Sequence, residues 1–231
     1  TWLDVDDRLC AQTKAGQPFV LVHPFGYLDP QAERVSGVWI EDVATAAGGR
    51  LGNRPCGSFG TLAVGSLYAT KPWGGAMGGF VAGDDPELEA RVRAMTTTDR
   101  DALPDHYAGP HRISAVHAAL AWARLERAPE EQRRREALAR RLDTAAGGRA
   151  LALPRLPYRW LVRAEDAEAA ICLARKRKID ARRPIRRPLA DERNTPNAWK
   201  QWRQWVSVPL PAYADEEGAR RLEAYVREVV R

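Results

Sequence analysis

Two stretches decide the fold: Val38-Trp-Ile-Glu-Asp42-Val-Ala44-Thr45, and Leu62-Ala-Val-Gly-Ser66-Leu-Tyr-Ala-Thr-Lys71-Pro, which continues to Gly78-Gly79. Each begins with a short apolar run, as a buried strand does, and leads into polar side chains. Similar runs at residues 19–23 and 79–81 predict two more strands, and helix signals lie between them. Because strands alternate with helices, we predict an α/β architecture with a mainly parallel sheet.

Three polar side chains in these stretches suggest a shared chemistry. Asp42 follows a buried strand, at the carboxyl end where open α/β sheets present ligands. An ionised aspartate there could hold a pyridine nitrogen protonated, a serine hydroxyl such as Ser66 could bind a phosphate, and a lysine amine such as Lys71 could bond an aldehyde. These are the groups that a protein needs to hold pyridoxal 5'-phosphate (PLP).

Each of these residues also has an ordinary structural interpretation. Asp42 could cap the next turn, Ser66 could bond to backbone, and Lys71 could be an exposed loop lysine. No single signal is specific. Their order and spacing together favour the cofactor site.

The same residues resemble the core of the DegT/DnrJ/StrS sugar aminotransferases, PLP enzymes of fold type I. That family has an acidic pair followed by alanine and glutamine, then serine and lysine five residues apart, then glutamate before paired glycines. The resemblance extends to four further segments of this chain: Trp2-Leu-Asp4-Val-Asp6, Val22-His23-Pro-Phe-Gly26, Gly109-Pro-His-Arg112-Ile-Ser-Ala-Val-His-Ala118, and Val208-Pro-Leu-Pro211. It implies a partial large domain with a mainly parallel sheet, lacking its N-terminal part, and a smaller C-terminal α/β domain.

The resemblance also implies roles for individual residues. Lys71 would form the Schiff base with PLP and carry the proton, Asp42 would face the pyridine nitrogen, and Ser66 would bind the phosphate. Ala44 would pack against the ring, and Thr45 stands where the family has a glutamine near the phenolic oxygen. The implied reaction moves an amino group from an amino-acid donor, glutamate, to a keto sugar, in this family usually nucleotide-linked. The cofactor cleft of the family lies between subunits, so a homodimer is expected.

Several features depart from the family pattern. Thr45 replaces the glutamine, Met77 replaces the glutamate before the glycines, and Pro110 replaces an asparagine that reaches the neighbouring subunit's phosphate. Family members also carry a segment before the part that begins here, with a phosphate loop and an aromatic residue on the ring. Three interpretations stay open: the chain is a fragment, a partner supplies the missing part, or the protein is a catalytically inactive partner or regulatory subunit.

The formal net charge of +6 comes from one basic strip. The strip contains one acidic residue, Asp180, and eight basic ones: Arg175, Lys176, Arg177, Lys178, Arg182, Arg183, Arg186 and Arg187. The strip is either a solvated surface or a phosphate-binding one, so Arg182, Arg183 and the strand-end His23 are candidate substrate contacts. We expect no nucleic-acid partner, because no aromatic residues alternate with these arginines.

The sequence predicts two domains, residues 1–110 and 111–231. The second would contain a helix over 113–125 that continues as a charged helix over 129–142, a strand at 157–163, a helix over 164–178, a strand from 179 and a final helix over 215–230. Trp199, Trp202 and Trp205 recur every third residue, which predicts an aromatic stripe on one helix.

The composition of the chain bears on its cellular location and on whether it binds a metal. The three cysteines form no disulfide framework or metal-type pair, no histidine has metal-ligand spacing, and no basic-then-apolar leader opens the chain. No apolar run is long enough for a membrane span. We therefore predict a cytoplasmic protein with no metal and no membrane association.

Overall fold

A computed structural model describes residues 17–96, 111–188 and 191–231. The chain divides into two compact units by its internal contacts. Of the described residues, the first contains 17–96, 111–129 and 154–156, and the second contains 130–153, 157–188 and 191–231. The domain boundary predicted at 110/111 adjoins residues outside the described part, and it stays a prediction.

The first unit is built on a four-stranded sheet and a small ribbon. Its strands are β1 (Phe19–Val22), β2 (Trp39–Asp42), β3 (Arg50–Leu51), β4 (Arg54–Pro55), β5 (Leu62–Ser66) and β6 (Gly79–Ala82). The sheet order is β1-β2-β5-β6, while β3 and β4 form the antiparallel ribbon. The pairs β1–β2 and β2–β5 are parallel, and β6 runs antiparallel to β5. The predicted α/β class and its mainly parallel sheet are confirmed.

Capping aspartates start the short helices of this unit where the sequence indicates. Asp29 accepts from the backbone N–H of Gln31 and begins the 3-10 helix Pro30–Glu33. Asp85 accepts from Glu87 and Leu88 and begins helix α1 (Pro86–Met95). In both cases a proline follows the cap, where its missing N–H costs no hydrogen bond.

The core of the first unit lies against one face of the sheet. Leu21 and Trp39 point into it, and Phe19 stacks on Trp39 with ring centroids 5.7 Å apart. The turn after β2 contributes Val43 and Ala46, which are almost completely buried. This packing fixes the direction of β2 and therefore the position of Asp42 at its end.

One long helix, α2 (Ala115–Ala146), contains both predicted helical segments of this region. Pro129 lies inside it. The flanking sequence is strongly helical on both sides, so the helix continues past the hydrogen bond that Pro129 cannot donate, and the predicted continuation is confirmed.

The second unit packs three helices around an antiparallel pair of strands. These elements are β7 (Arg159–Arg163), α3 (Ala167–Lys176), α4 (Pro196–Gln204), β8 (Trp205–Pro209) and α5 (Glu216–Val229). Trp160 is fully buried in this core, and its Nε1 donates to Asp143 Oδ1 at 2.9 Å. The predicted strand at 157–163 and the final helix are confirmed to within a few residues.

Two further expectations for the second unit were wrong. The strand predicted from residue 179 is reduced to one bridge, Arg182 to Ser207, because Pro184 and Pro188 cannot donate to a ladder. Trp205 is not on the helix of Trp199 and Trp202, because it begins β8 and is buried there. Among the described helices, none combines the length and apolar character needed to cross a membrane.

Candidate functional site

Asp42 and Ser66 lie together at one edge and on one face of the sheet. Each is the last residue of its strand, β2 or β5, and these strands are parallel neighbours. Asp42 is paired with Val64, two residues before Ser66, so the side chains of Asp42, Val64 and Ser66 share a face. The strand-end position predicted for Asp42 is therefore observed.

Lys71 lies in a compact loop at the same edge. The loop spans residues 67–78 and joins β5 to β6. It is closed by backbone hydrogen bonds from Leu67 to Gly78 and from Ala69 to Ala76, both 2.9 Å long. The Lys71 N–H donates to the Tyr68 carbonyl at 2.8 Å, which folds the chain into a turn at the lysine. The half-buried Lys71 is thus held at the carboxyl end of the sheet.

Close backbone contacts explain two of the glycines in this loop. A Cβ at Gly74 would lie 1.9 Å from the Tyr68 carbonyl oxygen. A Cβ at Gly75 would lie 2.3 Å from the backbone nitrogen of Ala121 in α2. Because real Cβ atoms do not approach backbone this closely, only glycine allows the loop to fold this way. The glycines therefore fix the loop that carries Lys71.

The Asp42 carboxylate is oriented by the turn that follows it. Its Oδ1 accepts from the Ala44 N–H at 2.9 Å. The turn-capping interpretation of Asp42 is thus observed, and a carboxylate has further acceptor capacity on its second oxygen. Ser66 Oγ accepts from the Tyr68 N–H at 3.2 Å, which leaves its own O–H to donate.

Thr45 has a structural partner for its only hydroxyl proton. Its Oγ1 donates to the His23 carbonyl at 2.7 Å and accepts from the Gly26 N–H at 3.3 Å. The hydroxyl therefore ties the turn after β2 to the turn after β1. This proton is not available to a cofactor's phenolic oxygen, so Thr45 differs from the glutamine it replaces.

His23 is enclosed in a buried hydrogen-bond network. It is fully buried, and its Nδ1 accepts from the Asp29 N–H at 2.9 Å. A neutral ring must then carry its proton on Nε2, which lies 3.1 Å from Glu41 Oε1. Both ring nitrogens are occupied within the fold. This burial argues against the predicted contact between His23 and a substrate, since no atom of the residue reaches solvent.

Glu41 anchors the loop after the β3–β4 ribbon. Its Oε1 accepts from Gly57 at 2.7 Å, and its Oε2 accepts from Phe59 at 2.9 Å and Gly60 at 3.4 Å. Burial alone would raise the pKa of Glu41, but the hydrogen bonds from His23, Gly57 and Phe59 outweigh it and hold the pKa below its usual value. Glu41 is therefore a buried anion stabilised by donors.

Cys56 lies beside this network. Ligand-type atoms of His23, Glu41 and Cys56 fall within 4.8 Å of one another. Burial, and then the negative charge of Glu41, raise the pKa of the Cys56 thiol to about 12. A protonated thiol is a poor metal ligand. The Glu41 oxygens already accept from backbone and histidine donors, so hydrogen bonding accounts for this cluster.

The two arginines proposed for substrate binding have different surroundings. Arg183 stacks on the Trp202 ring at 3.8 Å, donates to the Trp202 carbonyl at 2.6 Å, and pairs with Glu168. Its guanidinium is thereby bound within the second unit, which argues against a role in substrate binding. The Arg182 side chain is 70 % exposed and pairs with Asp180 on the surface, so it can exchange that partner for a ligand.

Comparison with known proteins identifies the chain. The model of the DegT/DnrJ/EryC1/StrS aminotransferase family matches residues 25–159. The chain belongs to this family. One curated relative is L-glutamine:2-deoxy-scyllo-inosose aminotransferase of Micromonospora echinospora, 31 % identical over 157 residues, 58 % of this chain and 37 % of that protein. Another is GDP-perosamine synthase of Caulobacter vibrioides, 29 % identical over 132 residues, 54 % of this chain and 36 % of that protein.

Solved structures of family members share the fold. S. venezuelae DesV, in complex with a ketimine intermediate, is 25 % identical with a TM-score of 0.82, over 94 % of this chain and 66 % of its own. A Brucella abortus family member is 21 % identical with a TM-score of 0.75, over 90 % of this chain and 63 % of its own. The predicted fold class, fold type I with an α/β architecture, is confirmed by this likeness. The chain spans about a third of the curated relatives' length and under two thirds of these two structures.

Sequence reasoning missed Glu41 and the roles of Thr45 and Gly75. A charged residue at an inward-facing position of a buried strand was a usable signal for Glu41. The other two roles depend on contacts across the fold. Of the family departures, Met77 is 59 % exposed, and Pro110 lies outside the described residues.

Proposed function

We propose that this chain carries the lysine-bearing part of a PLP-dependent sugar aminotransferase. The observation that supports the proposal is the convergence of Asp42, Ser66 and the Lys71 loop at one edge of the sheet. An acid, a hydroxyl and an amine are the donor set that a pyridine ring, a phosphate and an aldehyde require. Membership of an aminotransferase family supports the same chemistry.

The residues present fit PLP, each with one task. Asp42 would hold the ring nitrogen with the oxygen that the Ala44 N–H leaves free, and Ser66 would donate its hydroxyl to the phosphate. The Lys71 amine would bond the aldehyde carbon with release of water, and after the amino donor displaces it, the freed amine would move a proton between the donor's alpha carbon and that position. Ala44 would pack against the ring. Bound PLP supplies an electron sink for the charge that develops when that proton leaves.

The proposed amino donor is glutamate, and the proposed acceptor is a keto sugar, nucleotide-linked. The names of relatives support a sugar or cyclitol: one acts on 2-deoxy-scyllo-inosose and another is a UDP-N-acetyl-3-dehydro-alpha-D-glucosamine aminotransferase. We propose that the exposed Arg182 contacts the diphosphate of the nucleotide-linked sugar. Arg183 and His23 are not included in this role, because their polar atoms bond within the fold. A homodimer and a cytoplasmic location complete the proposal.

The first test is an absorption titration of the chain with PLP, followed by addition of glutamate. We expect a visible band that Lys71→Ala abolishes and that Lys200→Ala, a matched change at an exposed lysine, leaves intact. Borohydride reduction and peptide mass analysis should locate the attachment at Lys71. Attachment elsewhere, or a band that survives Lys71→Ala, would refute the assigned role of Lys71.

A non-catalytic role as a partner or regulatory subunit is the second candidate. Thr45 favours it, because its hydroxyl is bound to backbone where the family has a cofactor-contacting glutamine. The same titration separates the two functions. Bleaching of the band by glutamate supports transamination, whereas a band that glutamate does not change supports the non-catalytic role.

A further inference from the structure

Two arginines lie on the same face of the sheet in the second unit. Ser207 of β8 is paired in register with Leu161 of β7 and, through an isolated antiparallel bridge, with Arg182. Directly paired residues of antiparallel strands point to the same side, and so do alternate residues of one strand. Arg159, two positions before Leu161, therefore shares this side with Arg182. We call this side, defined by Arg159, Leu161, Arg182 and Ser207, the arginine face.

The guanidinium of Arg159 is held in a fixed orientation. Its Nε donates to Ser207 Oγ at 2.7 Å, and its Nη2 donates to the Ser207 carbonyl at 3.0 Å. Ser207 is buried within the strand pair, so both acceptors are themselves fixed. These bonds use two of the five N–H groups of an arginine. No acceptor among the described residues bonds the N–H groups on Nη1, and they remain available to a ligand.

The charge of Arg159 is not balanced by an ion pair in the described part of the chain. The residue is half-buried. Burial lowers the pKa of the Arg159 guanidinium below its ordinary value, while the charge of Asp180 opposes this effect and the charge of Arg182 adds to it. A half-buried cation without an ion pair is costly to keep charged, and a bound anion would remove that cost.

Arg182 supplies a second guanidinium, whose partner is replaceable. Its backbone is fixed by two hydrogen bonds with Ser207, at 2.7 and 3.0 Å. Its side chain is exposed, and its Nε donates to Asp180 Oδ1 at 2.6 Å. An exposed ion pair contributes little to stability and is readily exchanged for another anion. The arginine face therefore offers one oriented guanidinium without an ion pair and one that a ligand can release from its aspartate.

We propose that the arginine face binds a diphosphate group, with Arg159 as the main anchor and Arg182 as the second. Each ionised phosphoryl group accepts from one planar guanidinium, whereas a single carboxylate would engage only one and leave Arg182 with Asp180. Arg159 is the main anchor because Ser207 already fixes its orientation, so less side-chain freedom is lost on binding. The diphosphate of a nucleotide-linked sugar as the natural ligand rests on the proposed function, whereas the anion site rests on the arginine face alone.

The test is isothermal titration calorimetry of the 231-residue chain with inorganic pyrophosphate, in the absence of PLP. We expect saturable binding at one site. Arg159→Gln should weaken this binding about tenfold or more, because it removes an oriented contact between opposite charges. Arg182→Gln should weaken it about two- to fivefold, because this exposed arginine must first give up its bond to Asp180.

Further variants separate a specific site from general basic charge and from misfolding. Arg163→Gln removes a guanidinium that bonds Gln204 at the far end of β7, and Lys176→Gln removes a charge of the basic strip at the end of α3. Both should leave the affinity unchanged. Arg159→Lys keeps the charge without the planar fork and should also weaken binding. A wild-type circular dichroism spectrum identifies folded variants, and the exposed Arg182→Gln tests the site even where changes at Arg159 disturb the fold.

Any of three results overturns the proposal. The folded wild-type chain does not bind pyrophosphate at millimolar concentrations; folded Arg159→Gln or Arg182→Gln binds it as tightly as wild type; or glutamate binds more tightly than pyrophosphate with the same dependence on Arg159. The last result would assign the arginine face to a carboxylate. Because the calorimetry needs no PLP, its failure leaves the Lys71 titration unaffected, and failure of that titration leaves the anion site standing.

Discussion

Replacing Glu41 with alanine should strongly destabilise the first unit. The carboxylate is fully buried and accepts from His23 Nε2 and from the backbone N–H groups of Gly57 and Phe59 at 2.7 to 3.1 Å. Removing it leaves the buried His23 donor and two half-buried backbone donors without this acceptor. Each such donor costs about 1–3 kcal/mol, and breaking a buried charge network costs about 3–5 kcal/mol, so we expect a loss of about 3–5 kcal/mol in unfolding free energy.

Urea unfolding, followed by the fluorescence of buried tryptophans, measures this loss. Glu41→Gln tests the charge more narrowly. The Asp29 N–H donates to His23 Nδ1, so the His23 ring must keep its proton on Nε2. The glutamine amide has one oxygen and one NH2 group. In either orientation its NH2 group therefore faces another donor, the His23 Nε2–H or the Phe59 N–H. Glu33→Gln, at an exposed site in the same unit, is the control and should change nothing. A loss below about 1 kcal/mol for Glu41→Ala would refute this account of the network.

The pH dependence of stability gives a second check on Glu41. The network holds the folded-state pKa of Glu41 below its ordinary value of 4.5. Folding therefore favours the ionised form, and the stabilisation is present above the unfolded-state pKa and is lost as pH falls through the lower folded-state pKa. We expect the unfolding free energy to decline below pH 4.5 and this part of the decline to vanish in Glu41→Gln.

Three further predictions address other contacts. Glu41→Gln should lower the pKa of Cys56 from about 12, because the second cause of that rise is the Glu41 charge; peptide-level alkylation at alkaline pH should then be faster at Cys56. Arg183→Gln should cost about 1–2 kcal/mol in urea unfolding through loss of the Trp202 stacking and hydrogen bond, whereas Arg182→Gln should be neutral. Gly75→Ala should lower the melting temperature and abolish the PLP absorption band, because its Cβ would displace the Lys71 loop from α2.

Local signals in the sequence predicted much of the fold. Aspartate followed by proline correctly marked the start of two helices, at Asp29 and Asp85, because capping depends only on the next few residues. The strand that ends at Asp42 was equally clear from its apolar run. The strand predicted from Ile179 failed because Pro184 and Pro188 cannot donate to a ladder, so only the bridge from Arg182 to Ser207 remains.

The sequence predicted which residues come together in the candidate site better than it predicted their hydrogen-bond partners. The order of Asp42, Ser66 and Lys71 indicated a common edge of the sheet, which parallel neighbouring strands provide. The hydrogen bonds of Thr45 and Arg183 depend on partners 19 to 22 residues away, the His23 carbonyl and the Trp202 carbonyl, and no sequence pattern marks such partners. Glu41 likewise accepts from a loop 16 to 19 residues further along the chain.

The candidate cofactor site lies within an apolar row of the sheet. Asp42 is paired in register with Val22 on one side and Val64 on the other. A hydrogen bond from a ring nitrogen to a carboxylate is stronger where water is excluded, because the local dielectric is lower. The apolar neighbours of Asp42 should therefore strengthen the proposed contact between its carboxylate and the cofactor.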